Sequence, residues 1–84
     1  MPLTDIFRLM AAEYYFTRSK YVYNRAVSVE EKRRAISFLE SGLSYIVRIR
    51  ESCPDENLDQ GIASLRGHIH HRRYRLDHPD MFNV

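Results

Sequence analysis

Apolar side chains recur along this chain at steps of three and four, the spacing of helix faces, and seldom alternate as a strand would. Period-two alternation is brief where it occurs, at Tyr21-Val22-Tyr23 and between Tyr45 and Ile49, and there is no Asn-Gly or Asp-Gly hairpin pair. The pattern predicts an all-α protein with helices over about residues 4–25, 29–52 and 55–76. Together they make one domain over residues 1–78, followed by a C-terminal tail at 79–84.

The first segment carries two apolar stripes. Phe7, Met10, Tyr14 and Tyr21 form one; Leu9, Ala12, Phe16 and Tyr23 form the other. Glu13 and Lys20 separate them on one side, Arg8 and Arg18 on the other, and Thr4 or Asp5 is the expected N-cap. Two stripes imply two packing partners. This helix is therefore expected to sit between the other two, or to give one stripe to a second chain in a homodimer. The expected architecture is a small three-helix antiparallel bundle with the first helix central or shared.

The second segment opens on Ser28-Val29-Glu30-Glu31, a capping box in which Ser28 accepts from the Glu31 amide and Glu31 reaches back. Behind it Val29, Ile36, Leu39, Leu43, Ile46 and Val47 line one face, widened by Ala35, Phe38, Tyr45 and Ile49. Leu39, Leu43 and Ile46 are the expected core, and Gly42 at the apolar margin suits the close approach of another helix. Pro54 stops this helix, and the acidic run from Asp55 to Asp59 reads as the first turn of a third. Its start falls between Pro54 and Asn57. Leu58, Ile62, Leu65, Ile69 and Leu76 then form a narrow seam like the a and d positions of a coiled coil.

Composition narrows the class. An 84-residue chain that is 44% apolar fits one domain, marginal in stability unless well packed or oligomeric. No apolar run approaches the roughly 18–20 residues of a membrane span, and nothing at the N-terminus resembles a secretory signal. With one cysteine, Cys53, no internal disulfide or Cys-rich zinc site can form; a cytoplasmic protein with no membrane association is expected. Cys53 itself is expected to be a small apolar filler rather than a nucleophile. The net charge of +2 hides an asymmetry. Residues 1–60 carry nine bases and nine acids, whereas residues 61–76 carry Arg66, Arg72, Arg73 and Arg75 with no acid.

Arg66, His70, Arg73 and Tyr74 cover one flank of the third helix; His68, His71, Arg72 and Arg75 cover the other. Four guanidiniums with Tyr74 among them could embrace phosphates and stack on bases, or anchor acidic side chains, or simply complement the helix dipole. His68 and His71, three apart, share a face and could chelate, but no Glu is placed as in H-E-x-x-H, and no metal or cofactor is expected. Arg66 and His71 also fit R-x4-H, which resembles the catalytic motif of helical HEPN-type ribonucleases over six residues and no more of the chain. No nucleophile elbow or phosphate-binding glycine loop is present, and the paired acids Glu30/Glu31 and Asp55/Glu56 serve helix starts.

The tyrosines of the first helix read first as the edge of the core and second as an interface; Tyr15, away from both stripes and near Arg8, is a candidate contact if it and the Arg8/Arg18 side are exposed together. The expectation is a non-enzymatic binding or regulatory protein that bridges or occludes a larger protein partner, of a size that suits a bacterial or phage accessory protein. Its candidate contacts are Arg66, His70, Arg72, Arg73, Tyr74, Arg75, Tyr15, Arg8 and Arg18. Nucleic-acid binding through the Arg/His-rich third helix is the alternative.

Overall fold

The structure is a computed structural model and describes residues 2–79. Three helices account for nearly all of it: α1 (Leu3–Arg25), α2 (Val29–Ser52) and α3 (Glu56–Asp77), with no strand among the described residues. Residues 80–84 of the expected tail lie outside the described residues.

Local chemistry sets each end. The Ser28 hydroxyl oxygen accepts from the Glu31 amide at 3.2 Å, and its O–H donates to the Glu31 carboxylate at 3.1 Å. Asp55 caps α3 by accepting from the Asn57 amide at 2.7 Å, which fixes the start that sequence spacing leaves open. α1 departs from expectation. It begins at Leu3 with Pro2 at the cap position and no side-chain cap. Asp5 is turned inward instead, only 1% exposed, where the Ser52 hydroxyl donates to it at 2.5 Å and Arg8 at 3.0 Å.

Neighbouring helices run antiparallel. The start of α1 meets the end of α2 through Asp5 and Ser52, while the Ser19 hydroxyl donates to the Ala35 carbonyl at 2.6 Å further along. Small residues make this pairing close: Ala12 and Ser19 of α1 and Ala35 and Gly42 of α2 are all buried. Gly42 has the role its position predicts. Three carbons of the Phe16 ring occupy the space a Cβ would take, at 3.0 Å or less.

α3 lies along the other side of α2. Its seam is as expected: Ile62 and Ile69 are buried, and Ile69 joins Ile36 and Leu39 in a core that Phe16, Leu43, Leu65 and Leu76 pack against. Three exposed ion pairs run beside it, Arg33–Asp77 at 2.7 Å, Arg50–Asp59 at 2.6 Å and Arg73–Glu40. Pairs this exposed contribute about 0.2–1 kcal/mol each, enough to favour one register and too little to hold the helix on.

The order of the helices corrects the sequence reading. α2 packs against both neighbours, whereas α1 and α3 have no backbone packing with each other. The molecule measures 45 × 22 × 13 Å, about one helix diameter thick, so α1 does not sit between the others. Leu43 and Ile46, expected as core, are only half-buried because the layer leaves part of α2 uncovered. Cys53, expected as a filler, is exposed: its backbone N–H donates to the Ile49 carbonyl and its side chain meets solvent.

Asp5 makes stability depend on pH. The Ser52 hydrogen bond holds its carboxyl below the usual value near 3.8, burial opposes this, and Arg8 adds to the lowering. A carboxylate lowered on folding contributes stability that is complete above its unfolded pKa and lost as pH falls through the folded one. Asp77, lowered chiefly by Arg33, acts in the same direction. The urea midpoint should therefore hold steady above about pH 5 and drop as pH falls through and below about 4, and Asp5→Asn should shrink that drop. An unchanged drop in Asp5→Asn would remove Asp5 from the account.

Candidate functional site

Two surfaces stand apart from the rest, and each follows from the open layer. The first is the outer side of α1. Its inner stripe turns toward the other helices, with Ala12 buried and Phe16 and Tyr23 half-buried, while Leu9 toward its start is 39% exposed. The other stripe points away from the protein: Phe7 is 59% exposed, Met10 59%, Tyr14 61% and Tyr21 51%. Leu3 extends the same line. Met10, Tyr14, Thr17 and Tyr21, with Glu13 and Arg18 at the edges, surround a shallow concavity of about 510 Å³. Arg18 and Arg25 place their guanidiniums 5.9 and 4.5 Å from the Tyr21 ring centre, so the ridge carries cations against its aromatic face. Large apolar side chains exposed in one continuous row are a mark of interaction surfaces.

The second surface is the groove between α1 and α3, floored by α2. Two adjoining cavities of about 310 and 410 Å³ share Tyr23, His68 and Arg72 in their walls. Lys20 lines the first; Lys32, His71 and Arg75 line the second; among the described residues neither has an acid in its lining. The Arg72 guanidinium lies 4.3 Å from the Tyr23 ring centre, bridging α3 to α1. His68 titrates below its ordinary value because burial disfavours its charge, with Arg72 and His71 opposing protonation further.

The Arg/His-rich stretch is therefore split between two environments. Arg72 and Arg75 face the groove, whereas Arg66, His70 and Arg73 line a cleft on the far side of α3 with Glu40 and Leu43. There Arg73 is held by Glu40, which makes it an anchor for an acid of the same chain. Tyr74 stacks on the His78 ring at 4.0 Å. Arg66 and His71 lie on opposite sides of α3, so the R-x4-H pair does not converge. His68 and His71 share the groove, and no cluster of three or more His, Cys, Asp or Glu that could hold a metal ion occurs among the described residues.

Tyr15 lies at the edge of the core, and the condition for its being a contact, exposure together with Arg8 and Arg18, is not met. Its ring is half-buried and stacks between Phe38 and Tyr45 of α2 at 6.2 and 6.0 Å, with Tyr14 edge-on at 5.3 Å. Arg34 and Arg48 sit over Phe38 and Tyr45. Tyr15 thus belongs to the α1–α2 joint, and Arg8 is engaged by Asp5, so Tyr15, Arg8 and Arg18 do not form one exposed surface. Sequence reasoning missed Lys20, Lys32 and Tyr23. The signal available was slight: Lys20 and Lys32 are the only lysines in the chain, and both reach the groove.

No protein-family model matches the chain, and no curated protein or solved structure matches it. Among the described residues no helix is long and apolar enough to cross a membrane.

Proposed function

We propose that this protein is a non-enzymatic helical binding module that acts by protein–protein contact, receiving an amphipathic helix of a larger partner along the outer stripe of α1. The exposed row Phe7, Met10, Tyr14 and Tyr21 carries this reading. With Thr17 the row advances by steps of three and four, the spacing a second helix follows when it packs alongside. Tyr, Met and Arg are the residue types that anchor such contacts, because each buries a large apolar body.

The flanks select the partner's chemistry. Arg18 and Arg25 border the stripe on one edge and Glu13 on the other, two cations against one anion, while Lys20 turns to the groove. A second copy would set like charges against each other; a helix with acidic flanks would not. The module would then act by occlusion, covering a helix of its partner, or by bridging two partners.

Synthetic amphipathic peptides test this directly. One carries Leu at the a and d positions with Glu flanks; its isomer carries Lys flanks. By fluorescence anisotropy the Glu-flanked peptide should bind, and Phe7→Glu with Tyr14→Glu should weaken it about tenfold or more, with helical circular dichroism unchanged. Equal binding of both peptides would sink the proposed recognition. A dimer at tens of micromolar by sedimentation, dissociated by Tyr14→Glu, would instead make a second copy the occupant.

A further inference from the structure

We infer that the partner helix lies antiparallel to α1, with an acidic first turn on Arg18 and Arg25 and its apolar end over the start of α1. This rests on the proposed reading of the outer stripe and adds a direction to it. The stripe is not uniform along its length. Its cations belong to the second half, where the exposed Arg18 and Arg25 place their guanidiniums 5.9 and 4.5 Å from the Tyr21 ring centre. In the first half Arg8 is drawn to Asp5 at 3.0 Å. The acid at the stripe's edge is Glu13.

The first half is instead apolar and broad. Leu3 (66% exposed), Ile6 (42%), Phe7 (59%), Leu9 (39%) and Met10 (59%) meet solvent within one short stretch. At about 100° per residue they cover an arc of about 160°, wider than the roughly 100° of an ordinary helix stripe. Beyond Met10 the arc narrows, because Glu13, Thr17 and Lys20 take the side that Ile6 and Leu9 occupy earlier.

Helix dipoles choose between the two orientations. A helix favours acids in its first turn, where its N–H groups point outward and its dipole end is positive. Laid antiparallel, that turn meets Arg18 and Arg25 together with the negative C-terminal end of α1. The partner's last turns, where acids are least favoured, then fall on the apolar start of α1. Laid parallel, acids would have to sit at the partner's own negative end to reach the same guanidiniums. From Leu3 to Tyr21 is about 27 Å at about 1.5 Å per residue, so about 18 residues of partner helix suffice.

Two peptides of one composition and the same Leu positions test the direction. One carries its Glu residues in the first two turns, the other in the last two. By fluorescence anisotropy at low salt the Glu-start peptide should bind at least about tenfold tighter. Arg18→Gln with Arg25→Gln should cut that preference at least about fivefold, which separates contact with α1 from the helicity of the free peptides. A nitroxide at the C-terminus of the Glu-start peptide should broaden the Phe7 ring resonances, and one at its N-terminus those of Tyr21. Circular dichroism confirms that the variant folds. Equal affinity of the two isomers, a preference unchanged by the two Gln substitutions, or the opposite broadening would overturn the direction. If Phe7→Glu still weakens both peptides in that case, the outer stripe remains the docking site. Binding of neither peptide removes the proposed reading and the direction together.

Discussion

Ile36→Ala should cost about 2–5 kcal/mol, the loss expected when a fully buried aliphatic side chain is truncated and its neighbours close in only partly. Ile36 has no solvent exposure and sits with Leu39 and Ile69 where α2 meets α3, with Phe16 of α1 against the same cluster. It is the largest fully buried side chain among the described residues. At roughly 0.05–0.15 kcal/mol per residue, a chain this small has little stability to lose, and the melting temperature should fall by about 10 °C or more. Leu43→Ala, half-buried on the uncovered part of α2, should cost about 1–2 kcal/mol, less than its helical position suggests. Thermal circular dichroism ranks the two. A Leu43→Ala loss equal to that of Ile36→Ala would mean that α2 is covered more completely than the open layer allows.

Gly42→Val should be the next most damaging substitution, at about 3 kcal/mol, because the added atoms fall where the Phe16 ring lies. The ring would have to leave the notch, and the α1–α2 joint would lose its closest fit. The diagnostic is a change of sign. With Phe16→Ala the notch is empty, and Gly42→Ala should then stabilise by about 1 kcal/mol through helix propensity alone, where in the parent chain it destabilises. If Gly42→Ala has the same effect in both backgrounds, Phe16 is not what requires glycine there.

Much of this fold is legible in the sequence because helix ends and faces are local properties. The Ser28 box, the stop at Pro54 and the Leu58-to-Leu76 seam each depend on residues within a few turns, and the structure keeps them. The order of the helices was not legible. A helical wheel says that α1 has two apolar stripes and is silent on which of them meets a partner, so the central place expected for α1 belongs to α2. Asp5 shows the same limit: an acid near a helix start reads as a cap, and only the arrival of Ser52 from 47 residues away makes it a buried acceptor. Whether Tyr15 sits at a core edge or on the surface is not decided by its own helix, because Phe38 and Tyr45, which cover it, belong to another. The place of Lys20 and Lys32 in the groove is not legible, because neither lies in the Arg/His-rich stretch they face.

The unequal attachment of α1 and α3 to α2 has a consequence for how the molecule opens. α1 is joined by buried small residues, a buried hydroxyl bond and an aromatic stack, so the α1–α2 hairpin separates only as a unit with most of the fold. α3 is attached by a narrow apolar seam and solvent-exposed ion pairs, and therefore detaches at a lower free energy while the hairpin stays intact. One wall of the basic groove is thus the most loosely docked helix. The Arg72 guanidinium on the Tyr23 ring reaches across that groove, so breaking this contact and loosening α3 belong to the same opening.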